Sequence, residues 1–591
     1  MIVPMKKIAI ILQSKDAQAA IKKLRAFGVL HIEEQQEPKG KDISLLADDL
    51  TLISQTIEAL QEAEFATGCE GSLLRKDFTD WRLTCRHILD LWKRWDQLEE
   101  YSRGLLLKME EWKEWGDFDP ENIHQLAQKG IFIKLCQVPV KEVKSLPSQV
   151  VAREIFVKAN IAYCAVISDK PLEIEFKEFE LPKMGISQMQ KRLAEDRRVI
   201  ESLRDELRSF FCHLPQFTKM KAELEKELEF YRVLNGMGQL GGLTYLVGYL
   251  PFDREADLRE MADIEQWGLM LSEPSEEDSV PTLIRNSRLV SIIEPVFKLI
   301  EIVPGYKELD ISLPFLIFLS IFFGMLIGDA GYGMVYFAVT FFAQRKFGKK
   351  VKKKSVFFLF YVLSFCAIIW GLLTGVFFGQ SWLAGLGWKP LLPVLKDAKN
   401  IEAFCFFLGA LHLSIAHSWK AALKLPSLRA LAEVGWILVL WTVFFLAKTL
   451  ILGDSFPGFA KWLLLAGVSL VILFSNPQKN ILKTTGSGLG AVALNLMNNF
   501  TDVVSYVRLF AVGLAGVAIA DAFNSMAAGV AKGGIFNLLL ALVILFAGHM
   551  LNLLLGPMSV LVHGVRLNVL EFCGHVGISW SGRAYKPFKE D

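Results

Sequence analysis

Two stripes of polar side chains run along stretches that are otherwise apolar. In the first, Asn495, Asn498, Asp502, Ser505 and Arg508 follow one another at intervals of 3, 4, 3 and 3 residues, the spacing that stacks side chains on one face of an α-helix. In the second, His549, Asn552, Gly556, Ser559, His563 and Arg566 follow at 3, 4, 3, 4 and 3. Each stripe ends at an arginine. A charge at the centre of a bilayer costs roughly 2.5–3.5 kcal/mol on insertion scales, and such groups mark ion pathways. A guanidinium keeps its proton inside a protein. It can hold a facing carboxylate ionised and cannot pass protons itself. That suits a site between two water-filled half-paths, where an acid arriving from one path gives up its ion and reloads from the other. Asp329, Asp502, Asp521 and Glu571 are fixed to their own helices, so the mobile acid is expected from a partner. Two plainer readings stand beside this one: Arg566 snorkels to an interface, and Arg508 is a structural partner of Asp502.

The elements that must position these stripes follow from composition. The chain has 591 residues, 52% hydrophobic and 22% charged, with a mean hydropathy of +0.34. A wholly soluble chain and a wholly membrane-embedded one are both excluded. Cut at position 310, Lys+Arg number 42 before and 23 after, and Asp+Glu 53 before and 10 after, giving −11 and +13. The expected domains are therefore residues 1–310 in water and 311–591 in lipid. Apolar runs lie at about 313–343, 355–378, 401–420, 430–452, 458–475, 488–530 and 535–577, against the roughly 20 residues a span needs. The first is interrupted by Gly328, Asp329, Ala330, Gly331, Tyr332 and Gly333, where two short helices meeting at a turn are expected. Between residues 343 and 355 lie Arg345, Lys346, Lys349, Lys350, Lys352, Lys353 and Lys354, which place that loop in the cytoplasm. With 313–343 as a hairpin, the loops 421–429 and 476–487 (Lys479, Lys483) are internal. Loops 379–400, 453–457 and 531–534 are external. That makes eight helical segments with both termini cytoplasmic. The last two runs, about 43 residues each, must tilt or project beyond the lipid.

In the first half, Ile8–Leu12 reads as a strand, Asp16 as the start of a helix over Ala17–Leu24, Gly28 as its end, and Val29–Ile32 as a second strand. Leu46, Leu50, Ile53, Ile57 and Leu60 alternate at 4 and 3, as do Ile88, Leu91, Trp95, Leu98, Ser102, Leu105 and Met109. Ile186, Met189, Leu193, Asp196, Ile200, Leu203, Leu207 and Phe210 repeat the pattern. Such seams call for a partner helix. Two arms, 45–112 and 186–234, are expected, with a β-rich head at 130–180 (Gln149 to Val157) and a near head joining 5–35 to Leu243–Gly248. The five-residue apolar run at Ile8 is too short for a signal peptide. The eight cysteines, Cys69 among them, form no CxxC pair. Lys39–Ala47 lacks the Walker spacing, and the glycines at 486–490 follow no strand, so no nucleotide site is expected. The fold class expected is mostly α: an N-terminal cytoplasmic coiled-coil rod with small α/β heads at its ends, and a C-terminal eight-helix membrane domain with two long tilted final helices.

At these residues the chain resembles a known family. Lys6–Ile10 with Gly28–Ile32, Val280–Thr282, Pro304–Asp310, Phe323–Gly333, Trp370–Gly375 with Phe378–Gly379, Ser505–Leu509 and His563–Phe572 resemble the membrane subunit of V-type and A-type rotary ATPases. That subunit is called a in the vacuolar enzyme and I in the prokaryotic one. The resemblance implies a stator. The family's essential arginine falls on Arg508 and its second arginine on Arg566, with His563 beside it. It also implies that Asn495, Asn498, Asp502, Ser505, His549, Asn552, Ser559 and Glu571 line ion half-channels, and that Gly328, Asp329 and Gly331 are a structural motif. The implied partners are a proteolipid ring (c or K), peripheral-stalk subunits E and G, the central-stalk cap subunit d or C, and the lipid of a prokaryotic plasma membrane. No cofactor, metal, nucleic acid or nucleotide on this chain is implied. The translocated ion would be H⁺ or Na⁺, coupled to ATP hydrolysis or synthesis on other subunits. Eukaryotic members carry glutamate and histidine where this chain has Gly556 and Asn568.

Two other classes compete. A secondary transporter would need its own mobile carboxylate and an internal repeat across the membrane half, and no such repeat is seen. A membrane tether or receptor would explain the arms but not two polar stripes ending in arginines.

Overall fold

The computed structural model describes the chain apart from residues 63–79, 142, 144–149, 159–160, 171–175, 352–353, 381–390, 476–480, 533 and 591, and apart from the side chains of 158, 396, 481–491 and 493. Cys69, Gln149, Lys352, Lys353 and Lys479 lie outside the described residues, as do part of the loop 379–400 and the side chain of Lys483. The chain divides into two compact units. One comprises residues 1–10, 27–33 and 247–589; the other comprises 11–26 and 34–246 with 590–591.

Strand β1 (Met5–Gln13) buries Met5, Ile8, Ile10 and Leu12 in near-alternation, the period of a half-buried strand. Helix α1 (Ala17–Phe27) buries Ala17, Ala20, Ile21 and Leu24. Gly28 follows at φ +67°, a left-handed position that favours glycine. The chain then enters β2 (His31–Glu33).

In the second unit, α2 (Lys41–Leu60) and α3 (Trp81–Trp112) form the first arm, and α5 (Ile186–Phe211) and α6 (Leu214–Gly236) form the returning one. Helix α4 (Pro120–Gln128) and strands β3 (Phe132–Pro139), β4 (Val151–Lys158), β5 (Ile161–Ser168) and β6 (Lys177–Phe179) lie between the arms in sequence. The sheet is antiparallel in the order β4-β5-β3-β6. Of the heptad positions, Ile88, Trp95, Ser102 and Leu105 on α3 and Met189, Leu193, Asp196, Ile200, Leu203 and Leu207 on α5 are buried where the two helices pack together, and Leu91, Leu98, Met109, Ile186 and Phe210 are half-buried. Neither arm is a single helix. The returning arm breaks at residues 212–213, before Pro215 in the first turn of α6, a position where its missing N–H is harmless. In the first arm, Arg82 clamps Asp49 with Nε–Oδ1 at 2.7 Å and Nη2–Oδ2 at 2.5 Å. The start of α3 thus lies beside the middle of α2. Strand β7 (Gly238–Leu240) closes a hairpin with β8 (Leu243–Pro251).

In the first unit, β8 lies between β2 and β1, and β9 (Gly268–Ser272) completes the order β2-β8-β1-β9. Helix α7 (Glu255–Glu265) precedes β9. Strand β10 (Pro281–Thr282) and helix α8 (Glu294–Leu299) lead to the apolar helices. These are α9 (Ser312–Ile327), α10 (Ala330–Phe347), α11 (Ser355–Thr374), α12 (Ala398–Lys424), α13 (Ala430–Leu452), α14 (Ala460–Phe474), α15 (Ile481–Ser505), α16 (Val507–Val530) and α17 (Ile535–Ser559). Among the described residues, five helices are long and apolar enough to cross a membrane, six if α9 and α10 count as one span, and the apolar α14 is shorter. The pair α9–α10 is bent by 120° at Gly328–Asp329, the turn expected from its glycines. The final two runs, read as single helices from their composition, are both interrupted. Tyr506 separates α15 from α16. After α17 come π-helical turns at Val560–Gly564 and Leu567–Phe572, then α18 (Cys573–Val576).

After α18 the chain crosses back over the near sheet. Strand β11 (Arg583–Ala584) pairs in parallel with β10, Gly582 N–H donates to Val303 O at 3.2 Å, and Phe588 N–H donates to Leu30 O at 2.8 Å. Glu308 Oε1 accepts from Ser579 N–H and Oγ–H, each at 2.7 Å, and Oε2 from Gly305 N–H at 2.6 Å. Burial pushes this carboxyl up, but the hydrogen bonds outweigh it and hold it below its ordinary value.

Two predictions follow from these contacts. A Cβ on Gly371 would sit 2.0 Å from Ala330 N, whereas one on Gly529 would meet nothing within 4 Å. Gly371→Ala should therefore destabilise the protein by about 2 kcal/mol or more, while Gly529→Ala should be neutral or slightly stabilising; thermal unfolding of the two variants in one detergent checks this. Glu308 contributes stability above its ordinary pKa and loses it as pH falls through the lowered value. Glu308→Gln should lower the melting temperature at pH 7, and the gap from the parent should close below about pH 4.5.

Candidate functional site

The two stripes meet where α15, α16 and the π-helical end of the last run come together. Arg508, one residue into α16, donates through Nε to Ser505 O at 2.9 Å and through Nη2 to Glu571 Oε1 at 2.6 Å. Ser505 Oγ lies 2.7 Å from Asp502 O and 3.2 Å from the same Glu571 oxygen. Arg566 Nε is 3.8 Å from that oxygen as well. One carboxylate thus faces two guanidiniums. Its side chain is 5% exposed, against 23% for Arg508 and 54% for Arg566. Its other oxygen, Oε2, is buried without a hydrogen-bond partner.

The π turn explains the meeting of Arg566 and Glu571. In an α-helix a residue five positions on is rotated by about 140° from the first. A π turn bonds i to i+5 and brings the pair onto one face. Burying Glu571 alone would be costly, and the guanidiniums supply the compensating charge. The plainer reading of Arg508, an ion pair with Asp502, is corrected here. Arg508 pairs with Glu571, and Asp502 Oδ2 instead lies 3.0 Å from His575 Nε2.

Asp502 opens a second line of contacts. His575 Nδ1 lies 2.9 Å from His417 Nε2 on α12, and His417 Nδ1 lies 2.7 Å from Glu433 Oε2 on α13. Lys424 Nζ is bonded to the other Glu433 oxygen, and Lys420 Nζ donates to His575 O at 3.3 Å. His417 and Glu433 are buried. Neither they nor His575 belongs to a polar stripe, so helical spacing carried no signal for them. Each is an ionisable residue within an apolar run, which could have been read as an expensive group needing a partner.

The remaining expected residues divide. His549 Nδ1 lies 2.7 Å from Tyr332 Oη and its Nε2 lies 3.1 Å from Asn524 Oδ1; Asn552 Nδ2 donates to Gly516 O at 2.8 Å. These two hold α17 to the bend and to α16 and do not reach Arg508. His563 has a buried Nδ1 without a partner. Ser559 is half-buried. Asn495 and Asn498 are exposed, while Asn499, outside the stripe, is buried with an unpartnered Nδ2. Asp329 is fully buried and caps α10: Oδ1 accepts from Gly331 N–H at 2.7 Å and Tyr332 N–H at 3.1 Å, and Oδ2 accepts from Gly379 N–H at 2.7 Å. Gly328, at φ +68°, makes the turn before it. Pro557 lies within α17, and Tyr336 Oη donates at 2.8 Å to Leu553 O, the carbonyl that a proline at that position leaves unbonded. Among the described residues no group of three His, Cys, Asp or Glu side chains could hold a metal ion.

Comparison with known proteins supplies the rest. No family model matches the chain. V-type ATP synthase subunit I of Borreliella burgdorferi is 30% identical over the full length of both chains. V-type ATP synthase subunit I 1 of Treponema pallidum is also 30% identical over the full length of both. A-type ATP synthase subunit I of Methanocaldococcus jannaschii is 23% identical over 70% of this chain and 66% of its own. A crystal structure of the cytoplasmic N-terminal domain of subunit I, homolog of subunit a, of V-ATPase aligns over 45% of this chain and all of its own, at 14% identity and a TM-score of 0.21. With full-length identity to bacterial relatives and several apolar helices around two arginines, the chain belongs to the V-type and A-type ATP synthase subunit I family, membrane subunits of rotary ATPases.

Proposed function

We propose that the chain is the stator of its rotary ATPase and forms two ion half-channels against a proteolipid ring. Arg508 is the fixed cation that a ring carboxylate passes. ATP hydrolysis or synthesis takes place on other subunits. The observation that carries this reading is the Arg508–Glu571–Arg566 cluster. Two guanidiniums share one carboxylate, which leaves a net positive charge among apolar helices, available to an acid from outside the chain. A guanidinium keeps its proton inside a protein. Exposure of the final helices supports the assignment of the ring. Only 17% of the last apolar window is buried within the chain, against 56% for α13, and Leu542, Phe546, Leu554, Met558 and Leu561 are exposed on it. Such an apolar face fits lipid or the helices of a ring.

In this reading Asp502, Ser505 and Glu571 lie on one half-channel. His549, Asn552, Ser559 and His563 lie on the run that serves the other, and Asn495 and Asn498 lie toward the mouth of the first. Residues 1–310 form the cytoplasmic arm gripped by peripheral-stalk subunits E and G, and the central-stalk cap subunit d or C docks on the same side. Residues 311–591 span the prokaryotic plasma membrane with both termini in the cytoplasm. The seven basic residues between 343 and 355 support that orientation.

In vesicles holding the assembled complex, Arg508→Ala should abolish ATP-driven ion movement, and Arg566→Ala should lower it less. Because Arg508→Ala leaves Glu571 buried beside only the more distant Arg566, Arg508→Lys is the companion variant. It keeps the charge but not the planar fork, and transport should still fall at least tenfold. Undiminished transport in an assembled Arg508→Ala complex would overturn the reading.

A further inference from the structure

We infer that Glu433, His417, His575 and Asp502 form a dry proton relay that delivers single protons to the Arg508 site, so that this arm of the path passes H⁺ and excludes Na⁺. The inference rests on the stator reading above and deepens it by naming the ion. Four side chains from α13, α12, α18 and α15 make three successive contacts of 2.7, 2.9 and 3.0 Å. These are direct hydrogen-bond distances, too short to admit water or a hydrated cation between any pair. The groups facing the relay are Lys424 on Glu433, Lys420 on the His575 carbonyl, and the Trp436 ring stacked on His417 with centroids 6.5 Å apart. None of these supplies an oxygen cage for a metal ion.

Counting protons shows what the relay holds. Three hydrogen bonds need three protons. Two neutral imidazoles carry one each, and ionised carboxylates carry none. With all three bonds made, the relay therefore holds one proton beyond its neutral rings and ionised acids. That proton can rest on His417 or His575 as an imidazolium, or on either acid. Suppose it rests on His417, with Glu433 and Asp502 ionised. The His575 Nε2–H bond breaks as an O–H bond forms on Asp502. The His417 Nε2–H bond breaks as an N–H bond forms on His575 Nδ1. His417 is then neutral, Asp502 is protonated, and three hydrogen bonds remain. When Asp502 gives its proton toward the Arg508 site, both rings must turn so that their N–H bonds again point toward Asp502; a proton taken up at Glu433 then restores the count and the three hydrogen bonds. One proton enters, one leaves, and no other species is needed. Ser505 Oγ–H donates to the backbone carbonyl of Asp502 and lies 3.2 Å from Glu571 Oε1, so the residue that ends the relay is tied to the Arg508 site through its main chain. Sodium cannot move by exchanging N–H and O–H bonds.

The test uses the whole complex in sealed vesicles, with a pH-sensitive dye reporting acidification and ²²Na⁺ reporting sodium uptake. His417→Gln and His575→Gln keep size and hydrogen-bonding capacity but cannot become cationic. Each should lower ATP-driven acidification at least tenfold in a complex that still assembles with all its subunits, and the parent should take up no ²²Na⁺. If a histidine variant fails to assemble, Glu433→Gln, which keeps an acceptor for His417 and removes the relay's entry acid, should give the same loss. Acidification within twofold of the parent in the assembled variants would overturn the relay and leave the stator reading intact, as would ATP-driven ²²Na⁺ uptake that survives a protonophore. A parent complex that moves neither ion would overturn both.

Discussion

The contact on which the membrane half turns is the ion pair between Arg508 and Glu571. A buried carboxylate costs free energy unless it is paired, and a lone guanidinium among apolar helices would be drawn toward water. Each keeps the other in place. The sharing of one Glu571 oxygen by Arg508, Arg566 and Ser505 leaves the cluster short of negative charge. In the stator reading that deficit is the working feature. A ring carboxylate competes with Glu571 for Arg508, so the cation is held in position between visits without being neutralised outright.

Several local irregularities serve that one contact. The break at Tyr506 comes two residues before Arg508, and Tyr506 is fully buried with its hydroxyl 2.8 Å from His412 Nδ1. His412 is itself stacked between Phe318 and Phe572. The π turn at 567–572 rotates Glu571 onto the face of Arg566. On the other side, glycines allow helices to touch through their backbones: a Cβ at Gly513 would come within 2.5 Å of Met325 O. Asp329 accepts three hydrogen bonds from backbone N–H groups at the bend and caps α10. The segment after α18 then ties the last run to the stretch before α9 through Glu308 and Val303, and to the backbone beside β2 through Phe588. The helix bearing Arg566, Glu571 and His575 is thereby anchored at its end.

Much of this was legible in the sequence because it rests on period and composition. The heptad seams of α3 and α5 came out at the expected residues, since an apolar face must find a partner whatever the rest of the chain does. Gly328 and Asp329 announced the bend, because an aspartate between glycines cannot sit comfortably in mid-helix. The pairing at the arginines was not legible. Helical spacing assumes 3.6 residues per turn, and both final runs depart from it where the chemistry lies. Asp502 was weighed as the partner of Arg508 where Glu571 holds that place. His417, Glu433 and His575 were missed for a different reason. They converge from separate helices, and long-range proximity leaves no mark in local periodicity.

The most direct test of the account is the distance, in a structure of the assembled membrane complex, between the Arg508 guanidinium and the nearest ring carboxylate at successive rotor positions. The account predicts one position in which that carboxylate comes within about 4 Å, the range in which an opposite charge holds an acid ionised. The Glu571 contact should be lengthened there and restored when the carboxylate moves on. An Arg508 that stays on Glu571 at every rotor position, or that faces lipid with no ring helix beside it, would contradict the account.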